Sequence, residues 1–248
     1  MYNFKVVDYV LHLLSDLKVE KKDDSAITAF QYKCFNIMTN FIPIFPLNIV
    51  VFPNENLNLH IFEPRYIELV NECIQEKKTF GIPVVLKNKV QEYGTMIEIV
   101  EVAKKYASGE MDIKTKGLKV FRILEQIKEI PGKLYSGAIV NYPQNVENGT
   151  DKMMKKVMQY VHKLHEILKV KKAFGKEREH IKSFEVAHHV GLSVEEEYEF
   201  LKLKDELHRQ EFLKRHLLKA IPVAQGVVML QEKIKLNGHF KNLSGFDL

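Results

Sequence analysis

The stretch from Phe41 to Tyr66, FIPIFPLNIVVFPNENLNLHIFEPRY, constrains the fold most, because two proline-punctuated apolar runs lead directly into the start of a helix. Within it Leu57, Leu59 and Ile61 alternate with Asn56, Asn58 and His60, the period-two pattern of a strand with one buried face. Pro64 suits the first helical position, where the N–H it lacks would go unpaired, and Glu63 beside it favours the positive end of the helix dipole. Tyr66, Val70, Cys73 and Ile74 then give one apolar face, with Lys77 and Lys78 at the C-terminal end.

From Phe41 to about Pro143 the pattern is mainly strand. The runs FGIPVVL (80–86), TMIEIVEVA (95–103), MDIKT (111–115), KVFRILEQI (119–127) and YSGAIV (135–140) are short, β-branched and bounded by Gly or Pro. Ser108-Gly109 lies between two of them and supplies the positive φ of a tight hairpin. These runs predict an antiparallel, barrel-like sheet interrupted by one helix.

After Asn148-Gly149 the period becomes helical. Met154, Val157, Val161, Leu164 and Leu168 form one stripe opposite Lys152, Lys155, Lys156 and Lys163, and Ile181, Phe184 and His188 predict a second helix ending near Gly191. Ser193 and Glu196 make a capping box, so a third helix begins at Val194. A longer one runs from about Asp205 to Leu236, with a kink expected at Pro222. The fold class is therefore α+β, with a β module over 38–148, a helical bundle over 149–240 and a tail over 241–248. Residues 1–37 read as an extension in which Phe4, Val7, Leu11, Leu14 and Leu17 fall at helical spacing, and Met38 is an alternative start.

Hydrophobic residues at 46% and charged residues at 28% give an ordinary globular balance that needs no metal or disulfide to fold. Cys34 and Cys73 match no zinc spacing and point to a reducing, cytoplasmic setting. No signal peptide is evident, and no run approaches the ~20 apolar residues of a membrane span. The net charge of +5 arises wholly after residue 149, a bias that reads as a solvated helical surface rather than a nucleic-acid tract.

IPIFPLNIVVFP (42–53), LHIFEPRY (59–66), YGTMIEIVEV (93–102) and KGLKVFRILE (116–125), in this order, resemble the substrate-binding domain at the N-terminus of Lon proteases, and GLSVEEEYEFL (191–201) resembles its helical part. The resemblance covers roughly residues 41–240. It implies a PUA-like β-barrel followed by a helical bundle, and non-covalent recognition of unfolded or partner polypeptides, with a protease or chaperone as a further partner and no cofactor. Where that family often has a glycine after the Phe52-Pro53 pair, Asn54 stands instead and can adopt the left-handed conformation. No G-x-x-x-x-G-K-[ST] loop occurs, and Gly132-Lys133 and Gly175-Lys176 lack both the upstream glycine and the following Ser or Thr.

Glu63, Arg65 and Tyr66, with Phe62 as an apolar neighbour, are the candidate peptide-binding residues. The same four also read as a helix start, with Arg65 pairing locally and Tyr66 packing inward. His188-His189 near Glu185 suggest metal ligation, but adjacent histidines diverge on a helix and no further ligand stands at a suitable interval, so no metal site is expected. Ser108, Ser136, Ser183, Ser193 and Cys73 sit in no G-x-S-x-G elbow, so no catalytic residue is assigned and the chain is expected not to be an enzyme. RNA is the alternative partner, favoured by the lysines of 150–172. Against it, Phe45, Phe52, Phe62 and Phe121 occupy alternating core positions rather than stacking platforms. A structural subunit of a larger assembly is the third reading.

Overall fold

Phe41–Pro43 forms β1 and Asn56–Ile61 forms β2, and in β2 the alternation reads out as expected, with Asn56, Asn58 and His60 outward. The computed structural model describes residues 40–170 and 181–240, with side chains up to Lys235. The expectations for 1–37, Met38, Cys34, Gly175-Lys176 and 241–248 lie outside the described residues. Helix α1 (Pro64–Glu76) starts on its proline and ends where Lys77 turns left-handed at φ 52. Strands β3 (Phe80–Leu86), β4 (Lys89–Lys105), β5 (Met111–Ile127) and β6 (Gly137–Asn141) complete an antiparallel sheet of order β1-β6-β5-β4-β3, with β2 beside β5.

The two runs expected at 111–115 and 119–127 are one strand. Its first half pairs with β2, from Met111 against Ile61 to Lys116 against Asn56, and its second half pairs with β6. Gly117 stands at the handover, where a Cβ would lie 2.3 Å from the Phe52 carbonyl oxygen. Between β4 and β5 the tip turns on Gly109 at φ 91, as its position predicts.

The sheet does not close into a barrel by a continuous ladder. The chain after β1 reaches β3 only through two isolated parallel bridges, Ile44 to Gly81 and Leu47 to Val84. Phe45 N donates to Gly81 O at 2.8 Å and Leu47 N to Pro83 O at 3.2 Å, whereas Pro43, Pro46 and Pro83 have no N–H to extend the pairing.

Thr150 caps α2 (Asp151–Ile167), its hydroxyl accepting from Met153 N at 3.2 Å. The helix expected to end near Gly191 is a single turn, α3 (Ser183–Val186), continued as a 3-10 turn over Ala187–His189. The capping box at Ser193 and Glu196 opens α4 (Val194–Leu201) as read. The last helix, α5 (Glu206–Phe240), runs through Pro222.

The described residues from Phe41 onward group as one unit, and its core is shared between sheet and helices. One cluster sets Phe45, Ile61, Phe80, Ile82, Ile97 and Ile113 against the inner face of α1, where Tyr66, Leu69, Val70 and Cys73 are buried. A second sets Val50, Phe52 and Val84 against Met154, Val157 and Val161 of α2 and Leu213 and Leu217 of α5. Phe52 is its joint. The ring stacks on Phe184 at 5.3 Å and meets Phe200 edge-on at 5.7 Å, and its full burial contributes on the order of 2–3 kcal/mol.

Candidate functional site

Glu63 occupies the N-cap of α1 in extended backbone, φ −76 and ψ 133, but its carboxylate makes no cap bond. It accepts instead from Arg65, Nη2 at 2.7 Å and Nε at 2.9 Å. The guanidinium of Arg65 lies 4.5 Å from the centre of the Tyr66 ring. Tyr66 is buried, its ring 3.9 Å from that of Phe45 between centroids, and burial raises its phenol pKa. Local pairing of Arg65 and inward packing of Tyr66 are therefore both present.

Phe62 departs from its expected core position. It is 59% exposed, because Ile61 takes the last inward place on β2 and the next residue necessarily turns out. Its ring lies 6.0 Å from that of His60, whose Nδ1 is 2.7 Å from Asp112 Oδ1. Phe45, Phe52 and Phe121 are buried as expected.

A groove of about 620 Å³ opens beside β2. Ile49, Val50, Leu57, Phe184 and Val194 give it apolar lining, and Glu55, Glu185, Glu197, His188 and His189 give it charge and polarity. Asn54, at φ 66, turns the chain at its margin as the sequence suggests. Asn56 and Leu57 belong to both groove and strand, and among the described strands β2 pairs with β5 alone. No described strand pairs with the opposite edge of β2, whose first two residues line the groove.

His188 bridges the two walls. Its Nδ1 donates to Glu197 Oε1 at 2.7 Å and its Nε2 to Glu55 Oε2 at 3.0 Å, while Glu55 also accepts from Phe52 N at 2.8 Å. Burial acts to lower the imidazolium pKa, but the two carboxylates outweigh it and raise it to about 9. The ring is therefore a fixed cation at neutral pH.

Among the described residues no group of three or more His, Cys, Asp or Glu side chains is placed to hold a metal. His188 is directed to Glu55 and Glu197. Of the candidate serines, Ser193 caps α4, and Ser183 is buried with its hydroxyl 2.6 Å from Glu206 Oε2 and 3.1 Å from Arg209 Nε. Cys73 is buried, and desolvation raises its thiol pKa to about 12. Burial denies Ser183 and Cys73 the access that a nucleophile needs, whereas Ser193 is exposed with its hydroxyl engaged by Glu196 N at the head of α4. Lys152, Lys155, Lys156 and Lys163 are exposed on the outer face of α2.

Sequence reasoning located the helix start but set Phe62 in the core and missed the groove. Its walls come from 49–57 and 184–197, and no local periodicity reports that two such segments meet.

A family model for the ATP-dependent protease La (Lon) substrate-binding domain matches residues 42–219. The fold is similar to the crystal structure of a Lon N-terminal domain protein from Xanthomonas campestris, with TM-score 0.51 and 21% identity over 70% of this chain and 96% of that one. It is also similar to the N-terminal domain of the Lon protease of the Mycobacterium avium complex, with TM-score 0.55 and 14% identity over 71% of this chain and 97% of that one.

Proposed function

The chain belongs to the Lon substrate-binding domain family, and on that premise we propose that it is a non-catalytic recognition protein that holds unfolded or partner polypeptides for a protease or chaperone. The observation that carries this reading is the edge of β2 that no described strand pairs, beside a groove lined in part by Ile49, Val50, Leu57, Phe184 and Val194. An extended segment lying along β2 gains backbone hydrogen bonds from the strand and places alternate side chains in the groove. The six residues of β2 span about 20 Å, enough to direct a short stretch of chain.

Phe62 stands directly after β2 as an exposed apolar contact, the Glu63–Arg65 pair follows it, and Tyr66 anchors this corner from within. In this reading 38–148 is a PUA-like module and 149–240 its helical companion, acting in the cytoplasm. No helix among the described residues is long and apolar enough to cross a membrane. The chain requires no cofactor and hydrolyses neither peptide nor nucleotide.

Fluorescence anisotropy with a permanently unfolded, carboxymethylated protein tests the proposal. Binding of the unfolded form, not of its native counterpart, and about tenfold weaker binding by Ile49→Asn at unchanged melting temperature, are expected. Equal affinity for both forms, or tighter binding of single-stranded RNA that persists at physiological salt, overturns it.

A further inference from the structure

Two bonds fix which way the backbone of β2 points. Gly117 N donates to Glu55 O at 2.8 Å and the Thr115 hydroxyl donates to Leu57 O at 2.8 Å, so residues of odd number direct their backbone groups to β5. The register sets Asn56 opposite Lys116, Asn58 opposite Lys114 and His60 opposite Asp112. In an antiparallel ladder these alternate residues turn their N–H and C=O away from the partner strand. No described residue bonds to them there. All three are exposed, and water satisfies backbone groups that have no protein partner.

The other outer strands are guarded against pairing with a further chain. β1 has three residues and ends on Pro43, while β3 carries Pro83 and takes bonds from Phe45 N and Leu47 N. The β3–β4, β4–β5 and β5–β6 ladders each shift register, whereas β2–β5 runs from Asn56 to Ile61 without a break. β2 has no proline, lysine or bulge, the devices that keep an edge from taking up another strand. Its faces also differ. Asn56, Asn58 and His60 are exposed on one, and Leu57 and Leu59 are half-buried on the other, against the cluster that holds the inner face of α1. A strand laid beside β2 has to match that division, residue by residue.

We infer that β2 takes up an extended polypeptide segment as an antiparallel strand bonded to the N–H and C=O of Asn56, Asn58 and His60, and so selects segments whose apolar residues recur at every second position. The polar residues of the segment then make the backbone bonds, and its apolar residues pack beside Leu57 and Leu59, the first of which also lines the groove. This rests on the polypeptide-binding reading and adds to it the pattern that a preferred segment must carry.

The test is anisotropy of the full chain with two labelled peptides of identical leucine and serine content, one in strict alternation and one with leucines at helical three-four spacing. The alternating peptide is expected to bind about tenfold tighter, the scale of one leucine side chain left on the polar face. N-methylation at its serines should weaken binding about tenfold, the scale of one or two backbone bonds. N-methylation at its leucines, whose N–H points away from β2, should leave binding unchanged. Asn58→Pro removes an N–H that makes no bond to β5 and should weaken the alternating peptide about tenfold as well. Equal affinity for the two spacings overturns the selection. Equal loss from both methylations, or from neither, overturns strand addition, and loss from leucine methylation alone overturns the antiparallel direction. Dimerisation of the peptide-free chain that Asn58→Pro abolishes puts a second copy on this edge and overturns the proposal. Binding of carboxymethylated protein but of neither peptide overturns strand addition and leaves polypeptide binding standing, whereas failure of all three overturns the reading beneath it.

Discussion

His188 Nε2 lies 3.0 Å from Glu55 Oε2, joining residues 133 positions apart and tying the helical turns to the loop that precedes β2. Glu197 holds the other ring nitrogen, so one imidazolium fastens both walls of the groove.

This tie makes stability depend on pH. A group whose pKa rises from 6.5 unfolded to about 9 folded contributes fully below pH 6.5, and its contribution is lost as pH rises through about 9. With the side chain 32% exposed, the screened contribution is about 1–2 kcal/mol. The melting temperature should fall between pH 7 and pH 9.5 more steeply than that of His188→Gln. Parallel curves for the two proteins refute the assignment.

Glu206 and Arg209 form a buried ion pair at 2.9 Å, with side chains 8% and 2% exposed. Glu206 also takes the N–H and hydroxyl of Ser183, and Arg209 Nη1 donates to Leu203 O at 2.7 Å. Glu206→Ala leaves a buried guanidinium without its counter-charge and should cost roughly 3–5 kcal/mol in urea unfolding. A loss below 1 kcal/mol shows that the network is dispensable.

Gly117→Ala drives a methyl group into the Phe52 carbonyl and should cost about 1–3 kcal/mol. Gly109→Ala meets nothing within 4 Å and pays only the strain of φ 91, about 1 kcal/mol. Calorimetry should rank Gly117→Ala as the more damaging.

Phe62→Ser removes an exposed ring beside β2 and should weaken binding of an unfolded polypeptide several-fold at unchanged melting temperature. Arg65→Ala breaks a surface pair worth about 0.2–1 kcal/mol. Its effect on binding, measured in the same titration, reports whether the Glu63–Arg65 pair contributes beyond starting α1.

Cys73 has a thiol pushed up to about 12 by desolvation and sits against the sheet. In a Cys34→Ser variant, the native protein should react with a thiol reagent far more slowly than the urea-unfolded one. Rapid labelling under native conditions contradicts the burial of α1.

What was legible in the sequence is what neighbours in the chain decide. Pro64 at the head of α1, the Ser193–Glu196 box and the left-handed Asn54 each depend on a few consecutive residues, and each stands where its chemistry requires. Alternation located β2, but a strand's period does not state where inward packing stops, and Phe62 therefore fell on the wrong side. The union of 111–127 into one strand depends on β2 and β6 sharing β5, and the short α3 turn on partners far away in the chain. His188 goes to Glu55, while the carbonyls of His189 and Val190 receive His165 and His216. The open barrel has the same origin, since proline punctuation marks the first segment without revealing which strand it crosses.

The ring of Phe52, held between Phe184 and Phe200, forbids a cut that the chain otherwise invites near residue 149. Splitting there would leave each fragment with a raw aromatic wound, so neither piece should persist by itself in water. Partner screens and binding assays accordingly require both halves on a single polypeptide.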